Sequence, residues 1–436
     1  MNKVSIGILG GGTVGSGVVR VLQSNLASIE AQLGAKLVVR SVAVNDLSKT
    51  RDPVLTRDLL TDDPDTIIND PEISIVVELV GGVDVAGELI LQAIRQKKHI
   101  VTANKALLAS RGAEIFAAAS QHGVDVFYEG AVGGGIPIIR ALRESLSSEK
   151  ILAVQGIVNG TTNFILSAMS ESGAEYDETL AEAMRLGYAE ADPTADVGGH
   201  DAAQKLSILA TLAFRCNVHE KDVYVEGIER VDTVDIALAA KYGYTIKPLA
   251  IGERNFDKVS VRVHPAWVSN KSMVAHVNGV FNAVLVESEA LGTSMFYGQG
   301  AGQLPTGSAV LADIIDLARN IRSGAAGRVP HLAMQDSQLT PGEISPIGDV
   351  ECAFYLRFSV QDVPGVLGRI ATILGEDNIS LRIVDQEIQS QDSEESVPIV
   401  ALTHKVQEGA LRRALTAIDA CETTRAPTRF MRIVED

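Results

Sequence analysis

Basic residues are in short supply in this chain: 38 lysines and arginines against 55 aspartates and glutamates leave a net charge of −17 over 436 residues. A nucleic-acid binder needs a basic face for phosphates, so the deficit argues against that class and favours small-molecule chemistry. Cysteine is equally scarce. Cys216, Cys352 and Cys421 are scattered and odd in number, which gives neither a disulfide framework nor a zinc spacing and suits a reducing cytoplasm. Aromatic residues make up 4%, so cores must come from Ala, Val, Ile and Leu, as in layered α/β folds. No apolar run of membrane length occurs and no signal peptide precedes Val4. A cytoplasmic protein with no membrane attachment is expected.

What is present is ordinary globular material, 46% hydrophobic and 21% charged, in a chain too long for one core. Val4 to Leu9 reads as a buried strand followed at once by glycines and an amphipathic helix. Leu37 to Val44, Ser74 to Val80, Ile100 to Thr102 and Val124 to Tyr128 read as further strands, with helices such as Glu88 to Gln96 and Gly112 to Gln121 between them. That alternation predicts a doubly wound parallel sheet over residues 1–130. Residues 131–321 mix helices (Ile136 to Ser145, Asn163 to Ser170, Glu178 to Leu186, Asp201 to Phe214) with strands (Val259 to His264, Ala283 to Ser288), an α+β pattern. A last helix, about Ser308 to Ile321, is expected to return to the first domain. Residues 322–349, rich in Gly, Pro and Ser, read as a linker. The tail, 350–436, runs strand, helix, strand, strand, helix, strand, the ferredoxin-like βαββαβ order. Its second strand is placed at Ser380 to Glu387. Its own pattern predicts that it folds alone.

Gly10-Gly11-Gly12-Thr13-Val14-Gly15 matches GxGxxG between a strand and a helix, where glycine lets the backbone approach a pyrophosphate and the helix start supplies free N–H groups. The second strand ends at Asn45-Asp46, an acid placed to hold a ribose hydroxyl; Lys49 and Arg51 close by could instead hold a 2′-phosphate. NAD and NADP both stay open, with a slight lean to NADP. Asp201 and Lys205 share one face of an apolar helix, and burying such a pair is costly unless it has a task. Acids cluster just upstream at Glu190, Asp192 and Asp196, suited to an ammonium. Thr102-Ala103-Asn104-Lys105 follows a strand, so Lys105 falls on the ligand side of the sheet. Glu129 and the glycine-rich crossover Gly133-Gly134-Gly135 offer oxygen donors for a hard cation, or simply a tight turn.

Taken together, GGGTVGSGV at Gly10 to Val18, TANKALLA at Thr102 to Ala109 and YEGAVGGGIPII at Tyr128 to Ile139 resemble homoserine dehydrogenases. So do GIVNGTTNFIL at Gly156 to Leu166, GYAEADPTADVGGHDAAQKLSIL at Gly187 to Leu209 and GQGAGQLPTGSAV at Gly298 to Val310. The resemblance implies interconversion of L-homoserine and L-aspartate 4-semialdehyde with NAD or NADP, in threonine and methionine synthesis. It implies Lys205 as proton donor and acceptor, Asp201 as its partner, and Lys105 as a second candidate. Glu190 would bind the substrate with Asp196 assisting. Gly12, Thr13 and Val14 would form the cofactor loop, with Gly187 and Gly302 near the nicotinamide. Glu129 with the carbonyls of Val132, Gly134 and Ile136 would form a sodium site. Many NADP-using relatives carry arginine where this chain has Asn45. The tail resembles an ACT domain through Asp362-Val363-Pro364-Gly365-Val366-Leu367, which implies an amino-acid effector, threonine, at a turn including Asp362, Pro364, Gly365 and Val366. A homo-oligomer, dimer or tetramer, paired through the second domain is implied as well.

Two rivals are discriminated by residues. A semialdehyde dehydrogenase that forms an acyl phosphate needs a thiolate, and Cys216, the one cysteine in the catalytic region, sits in no matching motif. A cofactor-gated amino-acid sensor explains the glycine loop and the tail but not the Asp201–Lys205 pair.

Overall fold

The computed structural model describes residues 3–335, 338–386 and 397–435. Its first domain runs β1 (Lys3–Leu9), α1 (Thr13–Leu33), β2 (Lys36–Ala43), β3 (Leu60–Thr61), α2 (Asp65–Ile68), β4 (Ile75–Glu78), α3 (Asp84–Arg95), β5 (His99–Thr102), α4 (Lys105–His122) and β6 (Val126–Phe127). The strands are parallel in the order β3-β2-β1-β4-β5-β6, the doubly wound arrangement in which ligands bind beyond the strand carboxyl ends. Ile6, Ile8, Ile75 and Val77 are buried without exposure, because a sheet covered by helices on both faces needs continuous apolar strands.

The second domain contains α5 (Ile138–Arg140), β7 (Ile151–Ile157), α6 (Gly160–Ser172), α7 (Tyr176–Arg185), α8 (Thr194–Val197), α9 (His200–Phe214), β8 (Cys216–Asn217) and β9 (Tyr224–Val225). It continues with α10 (Thr233–Lys241), β10 (Tyr244–Asn255), β11 (Lys258–Ser269), β12 (Phe281–Ser288), β13 (Gly292–Gln299) and α11 (Gln303–Ser323). The expected helix over Ile136 to Ser145 is a short α-turn that opens into a π-turn at 141–145. α11 packs back on the first domain, where Val310, Ile314 and Leu317 join the core of Val18, Val19 and Leu22. The contact is backbone to backbone: a Cβ on Gly17 would lie 2.1 Å from the Gln303 carbonyl oxygen, so glycine is what allows the two helices to close.

The segment expected to be a loose linker is partly paired. β14 (Thr340–Pro341) adds to β8, and β15 (Glu343–Ile344) adds to β11. The tail then runs β16 (Glu351–Val360), α12 (Val366–Glu376), β17 (Leu381–Asp385), β18 (Val397–Thr403), β19 (Val406–Gln407), α13 (Glu408–Asp419) and β20 (Thr424–Val434). The expected strand end at Glu387 lies outside the described residues. The tail's sheet does not stand apart: β20 pairs in parallel with β11 at Ala266 to Val268. One continuous sheet results, in the order β13-β12-β7-β10-β11-β20-β16-β18-β17. Trp267, fully buried, stacks on Tyr355 of the tail at 4.1 Å. Arg432, 2% exposed, pairs with Glu408 and reaches across to Glu226 of the second domain at 2.9 Å. The tail, expected to fold alone, thus shares its sheet with the second domain. Its βαββαβ pattern is local, whereas the β11–β20 register joins segments about 165 residues apart, which no local pattern reveals. Among the described residues, no helix is long and apolar enough to cross a membrane.

Candidate active site

The site lies where the first domain's strand ends face α9. α9 starts at Gly199, whose φ of +86° fits glycine, and puts Asp201 in its first turn, where the helix dipole favours a carboxylate. One turn on, the Lys205 ammonium donates to Asp201 Oδ2 at 2.6 Å and to the Val158 carbonyl at 2.7 Å. From the other domain, Lys105 at the start of α4 reaches Asp201 Oδ1 at 3.2 Å. One carboxylate therefore holds two lysines from two domains. Burial pushes the Asp201 carboxyl up, but the charges of Lys205 and Lys105 and the bonds to it outweigh burial and hold it at about 2. The pair is not an exposed surface bridge, since Lys205 and Asp201 side chains are 12% and 9% exposed.

Asn159 completes the cluster, and sequence reasoning missed it. As the N-cap of α6 it accepts from the Thr162 amide at 2.9 Å, which leaves its Nδ2 to donate to Asp196 Oδ1 at 2.7 Å and Asp201 Oδ2 at 2.8 Å. Asn before Gly-Thr-Thr and an apolar run was a usable cap signal. Asp196 is pushed up by burial against the Asn159 bond, with the neighbouring Asp201 charge adding to it. The two acids thus differ: Asp201 is held charged, while Asp196 takes a proton more readily. Glu190 is exposed on the loop after α7, outside the cluster's hydrogen bonds. That loop is anchored over the start of α6 by Thr161 Oγ1 donating to the Tyr188 carbonyl at 2.6 Å.

A cavity of about 750 Å³ opens at the carboxyl ends of β1 and β2, with Gly10, Gly12, Thr13, Asn45, Lys49 and Arg51 in its walls. The turn is closed as a cradle. A Cβ on Gly10 would meet the Leu79 carbonyl oxygen at 2.5 Å, and one on Gly15 would meet that of Gly10 at 2.1 Å. Val14 is turned inward against the core. Asp46 is not among the residues that line this space; its Oδ1 accepts from the Ser48 amide at 2.8 Å and hydroxyl at 2.6 Å. Asp52, also unanticipated, lines it instead and is held near 2 by hydrogen bonds from Arg20. Gln303 of α11 ties Asp52 to Ser16 at 3.0 and 2.9 Å.

Several expected site residues act at one remove. Thr102 is fully buried and donates to Glu78 Oε2 at 2.7 Å, and Glu78 Oε1 in turn accepts from the amides of Val80 and Gly81. Thr102 thus shapes the loop beside the cavity with its side chain rather than presenting it to a ligand. Gly187 (φ +77°) turns the chain after α7, and Gly302 (φ +124°) leads into α11. The Glu129 carboxylate accepts one amide on each oxygen, from Ile139 at 2.9 Å and Arg140 at 2.8 Å. The Glu129 amide donates to the buried Asp313 at 2.7 Å, and burial pushes the Asp313 carboxyl up to about 8. The crossover keeps Gly133 and Gly134 at positive φ, between Val132 and Ile136, which are both buried. In the tail, Asp362, Pro364 and Gly365 form an exposed turn, while Val366 is buried at the start of α12.

Three family models match the chain: "Homoserine dehydrogenase, NAD binding domain" over residues 10–129, "Homoserine dehydrogenase" over 137–315, and "ACT domain" over 354–422. A homoserine dehydrogenase of Pseudomonas aeruginosa is 44% identical over 434 residues, covering 99% of both chains. The crystal structure of a homoserine dehydrogenase from Thiobacillus denitrificans superposes with a TM-score of 0.94 at 44% identity, covering 100% of this chain and 99% of that one. A hyperthermophilic archaeal homoserine dehydrogenase in complex with NADPH matches 72% of this chain and 97% of its own, with a TM-score of 0.61 and 28% identity.

Proposed function

We propose the residue roles below from one premise: this chain belongs to the homoserine dehydrogenase family, NAD(P)-dependent oxidoreductases that interconvert L-homoserine and L-aspartate 4-semialdehyde. The observation that carries them is Asp201 held between Lys205 at 2.6 Å and Lys105 at 3.2 Å, at the seam of the two domains. An ammonium has three donors, and Lys205 spends two on Asp201 and Val158, which leaves one for the substrate's reacting oxygen. Lys205 passes the proton at that oxygen and stabilises negative charge that develops there. Asp201 fixes the direction of the lysine, and Lys105 assists from the cofactor side. Glu190, on its anchored loop, binds the substrate ammonium, and Asp196 supports it.

The cradle at Gly10 to Gly15 fits a pyrophosphate: amides at the start of a 21-residue helix, and no room for side chains behind the turn. The nicotinamide, when bound, accepts or supplies the hydride. Lys49 and Arg51 face the cavity while Asp46 is occupied by Ser48, which favours NADP over NAD. A hard cation such as sodium suits the crossover in donor chemistry through the backbone carbonyls of Val132, Gly134 and Ile136. Glu129 belongs to the same donor set, since each of its carboxylate oxygens accepts one amide and keeps a lone pair. Gly187 and Gly302 supply backbone at the cofactor's reactive end. The Asp362–Gly365 turn takes threonine as an inhibitor, and a cytoplasmic homo-oligomer is the expected form. The test is oxidation of L-homoserine by the purified chain with NADP and with NAD, followed by nicotinamide absorbance. Turnover with the NADP couple favoured supports the reading; no turnover with either refutes the roles.

A further inference from the structure

Asn159 has two tasks, and the two ends of its side chain keep them apart. It is 6% exposed and caps the N-terminus of α6. Its Oδ1 accepts from the Thr162 amide at 2.9 Å. A backbone N–H can only donate, so the oxygen must face α6 and the amide nitrogen must face away from it. The two protons on that nitrogen go to two carboxylates, Asp196 of α8 at 2.7 Å and Asp201 of α9 at 2.8 Å. Capping needs only the oxygen, and serine or aspartate would supply one as well. The amide nitrogen therefore does something the helix does not require.

The two acids it meets differ in their surroundings. Asp201 faces two cations, Lys205 of its own helix at 2.6 Å and Lys105 of the first domain at 3.2 Å. Among the described residues, Asp196 makes no ion pair within 4.0 Å, and its carboxylate accepts from Asn159. Burial pushes the Asp196 carboxyl up and the Asn159 bond pulls it down; the Asp201 charge raises it, and Lys205 and Lys105 lower it. Two carboxylates facing each other without a donor between them tend to hold one proton in common. A neutral amide that donates to both keeps them separate acceptors.

The same turn also touches Lys205. The carbonyl of Val158, the residue before Asn159, accepts from the Lys205 ammonium at 2.7 Å. Both acceptors of Lys205, the Val158 carbonyl and Asp201 Oδ2, are thus set by one turn at the start of α6.

We propose that Asn159 is a positioning residue, whose side-chain amide holds Asp201 Oδ2 on Lys205 and keeps Asp196 apart as the acid that limits homoserine oxidation at low pH. The inference rests on the roles assigned above to Lys205, Asp201 and Asp196. Its test compares the intact parent with Asn159→Ser and Asn159→Asp, both of which cap α6 and neither of which can donate to both acids. Melting temperature and cofactor affinity should stay close to parental in both. The pH dependence of kcat/KM for L-homoserine, followed between about pH 5 and 9, reports the ionisations of the free enzyme. Asn159→Ser should lower kcat about tenfold or more through misplacement of Lys205. It should also move the acid limb of kcat/KM up by about one pH unit, because a donor to the charged carboxylates is lost. Asn159→Asp adds a third carboxylate and should move the limb further in the same direction. A folded Asn159→Ser enzyme with parental kcat, or a slowed one whose acid limb stays where the parent's lies, would overturn the proposal and leave Asn159 as a helix cap. If Asn159→Ser does not fold, Asn159→Asp decides by the same two readings. Lys205→Ala, measured alongside, separates the failures. Turnover lost in Lys205→Ala but kept in Asn159→Ser removes this inference alone, whereas turnover kept in Lys205→Ala removes the reading it rests on.

Discussion

Replacing Asp201 by asparagine keeps the shape of the side chain and removes the charge that holds both lysines. Burial opposes a charged Asp201, yet the two ammoniums and their hydrogen bonds hold it at about 2 against an ordinary 3.8. At about 1.4 kcal/mol per pH unit, that difference favours the charged carboxylate in the folded site by roughly 2–3 kcal/mol. Because the folded value lies below the unfolded one, the stabilisation is complete above about pH 4 and fades as pH falls towards 2, with roughly half left at pH 3. Asp201→Asn should therefore unfold at lower urea concentration than the parent at pH 7, and the gap should narrow to about half at pH 3. Freed of its anchor, Lys205 loses its aim; a displacement of about 1 Å costs on the order of 10²-fold in rate, so kcat should drop by that order while cofactor affinity holds. Urea titrations at the two pH values and initial rates at pH 7 check both halves. A variant as stable as the parent at pH 7, or one with parental kcat, would refute the claim that this carboxylate positions the lysines.

Glu190→Gln should raise the KM for homoserine about tenfold or more and leave that for the nicotinamide cofactor nearly unchanged; equal changes in both would make Glu190 a structural residue. Arg51→Glu should lower kcat/KM with NADP by at least tenfold and spare NAD, whereas equal loss with both cofactors would remove Arg51 from 2′-phosphate recognition. Ending the chain at residue 350 would strip β20 from β11 and uncover Trp267, so the product should be insoluble or melt well below the intact chain; a truncated chain with parental Tm would contradict the importance of that seam. Threonine should inhibit the intact chain and lose potency against Asp362→Ala in initial-rate titrations, and equal inhibition of both would move threonine away from that turn.

The parts of the site written in local spacing were legible. The glycine loop declares itself because strand, glycines and helix are contiguous, and Asp201–Lys205 because i,i+4 acids and bases on an apolar helix demand a reason. What was illegible depends on distant partners. Thr102 sits where a ligand-facing residue belongs, but its hydroxyl is taken by Glu78 of the neighbouring strand. Asp46 looked able to meet a ribose until the structure turned it to Ser48 two residues on. β10 carries Pro248 near its middle, and proline ordinarily argues against an inner strand. Asp313 reads as one more helical acid, and only the fold buries it against Glu129. The fusion of the tail's sheet with β11 rests on Arg432 and Trp267 meeting partners far away in sequence.

The central claim is that Lys205 passes the proton. The most direct measurement is steady-state oxidation of L-homoserine by Lys205→Ala, alongside circular dichroism and cofactor titration of the same preparation. The expected result is a folded protein that binds the cofactor as the parent does and turns over about 10²–10⁴-fold more slowly. A folded Lys205→Ala enzyme with near-parental kcat would contradict the account and move the proton to Lys105.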